Sequence, residues 1–214
     1  MLHPPQFFYD KIKIFMGYDE LYKNSNVWGA KPNAYLASVV PLIREKGRFL
    51  DLGCGQGRDA IFMWEQGFSV TAVDVSEEGI KNVIAQSKGE INAVCQNIEG
   101  FHIAPNTYTA INAWNVLQFL KKGDALRIVR SMQEGVADNG FLIISGFTVD
   151  DPAFQNQSNK DKGFFEKDEL KKLFNGFKII RYEEKVIHDQ GHLGAEQPHK
   201  HGIVRLIAQK SAIK

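Results

Sequence analysis

Cysteine is scarce in this sequence, with only Cys54 and Cys95 among 214 residues. Two cysteines cannot build the disulfide framework of a small secreted domain, and their positions fit no metal-ligand spacing. A reducing, cytoplasmic setting is the simplest expectation. Long hydrophobic runs are also missing: no uninterrupted apolar stretch approaches the ~20 residues of a membrane span, so no membrane partner is expected. The start, "MLHPPQFFYD", lacks both a long apolar core and a small-residue cleavage site and predicts no signal peptide. Nor is there an excess of charge of one sign. The 26 Lys and Arg offset 25 Asp and Glu, leaving a formal net charge of +1 and no basic stripe to follow a phosphate backbone. Nucleic acid is therefore not an expected partner. Internal repeats and low-complexity tracts are absent too.

What is there suits one globular unit. Apolar residues make up 43% of the chain, enough for a sizeable core at this length. Residues 1–46 read as an N-terminal cap of helical segments, with "PNAYLASVVPLI" the best helix and Pro32 in its first turn. Residues 47–214 read as the main domain. From residue 48 the pattern alternates: strand "RFLDLG", helix "RDAIFMWEQG", strand "FSVTAVD", then helix "SEEGIKNVIAQS" capped by Ser76. Strands "INAVCQ" and "YTAINAW" follow, then helix "DALRIVRSMQEGV", the turn "DNG" and strand "FLIISGF". Such alternation predicts an α/β, Rossmann-like, doubly wound sheet, mostly parallel and covered on both faces. After a long polar connection over 148–163 and a short helix near "EKDELKKLF", two final strands, "FKIIRYEEKVI" and "GIVRLIAQK", flank a long loop. They read as an antiparallel pair at the edge of a seven-stranded sheet.

Three glycines at two-residue spacing, Gly53, Gly55 and Gly57, interrupt the passage from the first strand to the first helix. Glycine lets a backbone turn sharply and approach a ligand closely at the carboxyl end of a sheet, so the loop points to a nucleotide-like cofactor. The dinucleotide fingerprint needs a glycine at position 58, where Arg58 stands. Asp51, two residues before the loop, repels a diphosphate and suits an ammonium or sulfonium group. Asp74 ends the second strand 23 positions later, where a carboxylate can accept from ribose hydroxyls. This combination suits S-adenosylmethionine (SAM) better than NAD.

With these residues in hand, "LDLGCGQGRDAIFMWEQGFSVTAVDVS" resembles the first two strand–helix units of class I SAM-dependent methyltransferases. "VWGAKPNAYLASVV" is similar to a segment shared by the tellurite-resistance and thiopurine methyltransferases, the tellurite-resistance group being the closer of the two. "HGIVRLIAQK" is similar to the last strand of that group. The resemblance implies SAM as cofactor and a small-molecule methyl acceptor, such as a thiol or an oxyanion of the tellurite or selenite kind. It further implies that Asp51 and Gly53 face the methionine end, Cys54 and Gly55 line the loop, and Arg58 opens the helix beside it. Asp74 would take the ribose, Val75 and Ile98 the adenine faces, and Asn97 the adenine edge, where many relatives carry aspartate. Asn115 would pass the methionine moiety and Trp28 would cover the cofactor. No general base is assigned, because a thiolate or oxyanion brings its own lone pair.

Several of these residues have plainer readings. Asp74 can cap the following helix, Asn97 can be an ordinary turn residue, and Val75, Ile98 and Trp28 can simply pack. Trp64 and Trp114 read as core, and Cys54 reads as a spacer. Four histidines, His188, His192, His199 and His201, gather between the last two strands. They read as a hydrophilic loop, as acceptor contacts or proton carriers, or as metal ligands, although no zinc signature matches and no metal is assigned. His192, His199, His201 and Arg205 are the candidates for the acceptor side. Competing functions are a SAM-binding protein without turnover and an NAD(P)-dependent oxidoreductase.

Overall fold

The computed structural model describes residues 18–24, 29–191 and 197–212. Two short helices, α1 (Tyr18–Asn24) and α2 (Ala34–Val39), come before the sheet. Asn33 caps α2, its side-chain oxygen accepting from Leu36 N at 2.7 Å. Pro32 therefore stands ahead of the cap rather than in the first turn, because the asparagine next to it can supply the acceptor that proline lacks.

The alternating pattern becomes β1 (Arg48–Leu52), α3 (Arg58–Glu65), β2 (Ser69–Asp74), α4 (Glu77–Gln86) and β3 (Asn92–Cys95). It continues with β4 (Tyr108–Trp114), α5 (Lys122–Gly135) and β5 (Val136–Phe147), and closes with α6 (Glu169–Leu173), β6 (Phe177–Asp189) and β7 (His199–Lys210). Ser76 caps α4 as expected, accepting from Gly79 N at 3.0 Å. Strand order is β3-β2-β1-β4-β5-β7-β6. The first five strands pair in parallel, while β7 runs antiparallel to both β5 and β6.

Period-two alternation sorts the strands onto two apolar layers. Leu50, Leu52, Ile111, Ala113, Leu142 and Ile144 join α5 on one face; Phe49, Val70, Ala110, Phe141 and Ile143 join α2 and α3 on the other. Strand order reverses between β1 and β4, and the usual ligand position in an open α/β sheet is outside the carboxyl ends of the strands at such a point.

One expectation is corrected. His199 and His201 lie in β7 and His188 in β6, not in a loop. The β6–β7 ladder simply continues, with Asp189 opposite His199 and Ile187 opposite His201. Unbroken cross-strand hydrogen bonding outweighs the polar composition that suggested irregular chain. Among the described residues no helix is long and apolar enough to cross a membrane.

Candidate functional site

Gly53, Gly55 and Gly57 all take left-handed φ angles, +69°, +54° and +87°. This is backbone that side chains rarely allow, so the loop needs its glycines. A Cβ at Gly53 would also stand 2.4 Å from Val116 Cγ2. The resulting turn places Gly53 N and Cys54 N on the Val73 carbonyl, at 2.8 and 3.1 Å. Asp74 binds the loop from the side: its Oδ2 accepts from Gly55 N at 2.8 Å and its Oδ1 from Ser76 N at 2.9 Å. Burial raises the Asp74 carboxyl above the ordinary range, against the lowering effect of these backbone donors. A carboxylate has about four acceptor sites, so both oxygens retain capacity for hydroxyl donors from a ligand.

Beneath the loop lies a buried polar group that the sequence reading found only in part. Asp51 is 2% exposed; its Oδ1 accepts from Asn112 Nδ2 at 2.8 Å. Asp51 Oδ2 and Asn112 Oδ1 are both buried with no hydrogen-bond partner among the described residues. Desolvation is the main cause that pushes the Asp51 carboxyl up to about 8, with the nearby Asp59 charge adding to it and Asn112 opposing. Asp59 itself is satisfied, by Asn33 N at 2.9 Å, by Asn33 Nδ2 and by Arg58 Nε at 3.1 Å. Arg58 is thus held on Asp59, at the floor of the site. Asn112 went unnoticed in the sequence, although an asparagine in the apolar strand "YTAINAW", in register with Asp51, was the available signal.

Two buried oxygens without a partner among the described residues, one of them on a carboxyl that can give up its proton, call for a donor carrying positive charge. An α-ammonium group meets that demand, and a diphosphate does not. The residues present therefore fit the amino-acid end of SAM.

The other candidates are placed unevenly around this centre. Val75, just past the end of β2, is 59% exposed and offers an open apolar surface. Ile98 is buried in the α5-side core, and the Asn97 side chain is engaged locally, accepting from Glu99 N at 2.9 Å and donating to Glu99 Oε2 at 2.6 Å. Asn115 has φ +54° and its Oδ1 accepts from Ser145 Oγ at 2.6 Å. Burial pushes the Cys54 thiol well up, away from a nucleophilic thiolate. Trp28 and His192 lie outside the described residues.

Helix α1 lies over the loop, which sequence patterning did not indicate. Tyr22 O accepts from Gln56 Nε2 at 3.2 Å, and Asp19 Oδ1 accepts from Ser76 Oγ at 2.6 Å. Burial, with the Asp74 charge, raises the Tyr18 hydroxyl to about 12.

Arg205, a candidate for the acceptor side, sits with its guanidinium carbon 5.5 Å from the Trp114 ring and 5.4 Å from that of Tyr35. Its Nε is buried without a partner among the described residues. Trp114 and Trp64 pack against the α2–α3 core as expected. His199 and His201 meet at their Nε2 atoms, 2.8 Å apart, with Asp189 beside them.

A family model described as Tellurite resistance protein TehB matches residues 22–197. The chain belongs to the TehB family. A relative named "Probable S-adenosyl-L-methionine-dependent methyltransferase TehB", from Haemophilus influenzae (strain 10810), is 28% identical over 143 residues, covering 65% of this chain and 49% of its own length. Another, "Hemagglutinin 1" of Eikenella corrodens, is 32% identical over 142 residues, covering 64% of this chain and 46% of its own. The chain thus spans about half the length of the curated relatives it matches. The crystal structure of TehB from Haemophilus influenzae superposes with a TM-score of 0.73 at 22% identity, over 91% of this chain and 67% of that one. The expected class I methyltransferase fold is therefore the fold that this member of the TehB family has.

Proposed function

We propose that the chain is a SAM-dependent methyltransferase acting on a small nucleophilic molecule, a thiol or an oxyanion of the tellurite or selenite type. The observation that carries the reading is the pair of oxygens, Asp51 Oδ2 and Asn112 Oδ1, buried without a donor among the described residues under a loop of left-handed glycines. Membership in the TehB family supports it, as does the name of the Haemophilus influenzae relative.

The residues divide the work of holding and screening. Asp51 and Asn112 receive the ammonium, Asp74 accepts from the ribose, and the exposed Val75 face lies against the adenine. Tyr18 and Tyr22 of α1 keep water from the loop side. When bound, the cofactor supplies an electrophilic methyl on a sulfonium. The chain's own contribution is alignment and water exclusion, which can account for a large part of a bimolecular rate enhancement. A thiolate or oxyanion needs no proton removed. Arg205, whose Nη1 lies 3.7 Å from Glu183 Oε2 and whose buried Nε has no partner among the described residues, is the natural group to orient an anionic acceptor.

Incubation of the full chain with methyl-labelled SAM and a panel of thiols, tellurite, selenite and carboxylates tests the proposal. Label in a volatile or small-molecule product supports it. SAM binding without turnover across the panel favours a binding protein, and binding of NAD in place of SAM removes the reading altogether.

A further inference from the structure

The histidine pair opens β7, three strands along the sheet from β1 and its glycine loop. His201 Nδ1 lies 2.9 Å from Asp151 Oδ2, and His199 Nδ1 lies 2.8 Å from the Gln197 carbonyl. A carboxylate and a backbone carbonyl only accept, so each Nδ1 carries the ring proton. In the neutral form that tautomer puts the ring lone pair on Nε2, and the two Nε2 atoms lie 2.8 Å apart.

We propose that Asp189, His199 and His201 form a binding site for one divalent transition-metal ion of the zinc class. The ligand atoms of the three residues lie within 4.8 Å of one another. A tetrahedral zinc site sets neighbouring nitrogens about 3.3 Å apart, so a small parting of the rings closes the set. Secondary structure puts the ligands there. Side chains two apart on a strand share a face, and the β6–β7 register sets Asp189 directly opposite His199. Asp151 supplies the second layer. Only 1% exposed, it fixes the tautomer of His201 while accepting from Gly202 N at 3.2 Å. A carboxylate behind a ligating histidine is the usual support of a metal site. Phe147 stacks on the His201 ring at 4.8 Å and holds its plane.

Three protein ligands leave a coordination position open, as in metal sites that bind a further small ligand. Strand alternation puts that position on the β7 face that also carries Arg205. The site is independent of the methyl-transfer reading and stands or falls without it. A proton shared between the rings is the competing occupant.

The test uses the full chain, stripped with chelator and dialysed, in the absence of any cofactor. Titration with Zn2+ by calorimetry and with Co2+ by visible absorption should show one equivalent bound. The Co2+ complex should have tetrahedral d–d bands and no thiolate charge-transfer band, excluding Cys54 and Cys95 as ligands. His199→Ala and His201→Gln should each weaken binding by about 100-fold. Asp151→Asn, which touches no metal, should weaken it by about 10- to 100-fold, whereas His188→Ala should leave it unchanged. Circular dichroism of each variant confirms that it folds. Absence of stoichiometric uptake by the unmodified chain, which leaves a shared proton as the occupant, overturns the proposal. So does uptake that His199→Ala does not weaken.

Discussion

Asp51→Asn separates a carboxyl that waits for an ammonium from one that only packs. Asp51 is buried, accepts from Asn112 Nδ2 and has its carboxyl raised to about 8. A free α-amino group titrates near pH ~8 as well. Below that pH, docking the ammonium onto Asp51 must expel the Asp51 proton, so affinity for SAM should rise about tenfold per pH unit. Above it the ligand loses its own proton and affinity falls again. The predicted profile is a bell centred near pH ~8. Asparagine keeps the shape but not the charge. One charge-assisted hydrogen bond contributes about 1.5–3 kcal/mol, so the variant should bind SAM about 10- to 150-fold more weakly at the optimum and lose the acid limb. Calorimetry across pH in buffers of different ionisation enthalpy reads both effects, since proton release appears as a buffer-dependent heat. Stability gives an independent check. Because the folded pKa lies above the unfolded one, Asp51 favours folding below pH ~4 and progressively loses that contribution as pH rises through ~8. The shift sets a ceiling of about 6 kcal/mol on the loss. Asp51→Asn should therefore be relatively more stable than the parent at pH 8 than at pH 4, read by denaturant unfolding. Equal SAM affinity in variant and parent, with the acid limb intact, would refute the reasoning.

Other substitutions probe the surrounding parts. Gly79→Ala would place a Cβ 2.6 Å from the Gly55 carbonyl oxygen, backbone that cannot swing aside. It should cost about 1–3 kcal/mol in chemical denaturation and weaken SAM at least tenfold by displacing the loop. Ile98→Ala empties a core position that is 4% exposed, and should lower stability by about 2–4 kcal/mol while changing SAM affinity little; a large loss of affinity with little loss of stability would put Ile98 against the adenine instead. Asp74→Ala removes both a ribose acceptor and the anchor of Gly55 N, so SAM and S-adenosylhomocysteine should weaken together by about 10- to 100-fold; unchanged affinity removes the ribose assignment.

The doubly wound part was legible because its signals are local. Apolar runs, the Ser76 cap and three glycines in a row of alternate positions each constrain a few neighbouring residues, and the parallel sheet follows from their order. The antiparallel end was legible as strands but not in extent. Histidine and lysine in "HKH" disguised a strand whose pairing with β6 and β5 overrides composition. The same non-local pairing hid the Asp189–His199–His201 grouping, since its ligands meet only through register. Asn112 escaped notice for a related reason: its meaning depends on Asp51 in the adjacent strand, 61 residues away. Packing of α1 on the loop follows from contacts of Asp19 and Tyr22 with residues more than thirty positions distant, which no periodicity records.

Titration of the full chain with SAM, S-adenosylhomocysteine and NAD in one calorimeter tests the central assignment most directly. The account predicts one molecule of SAM or S-adenosylhomocysteine bound per chain and no heat from NAD. Saturable binding of NAD, with SAM giving none, would contradict it.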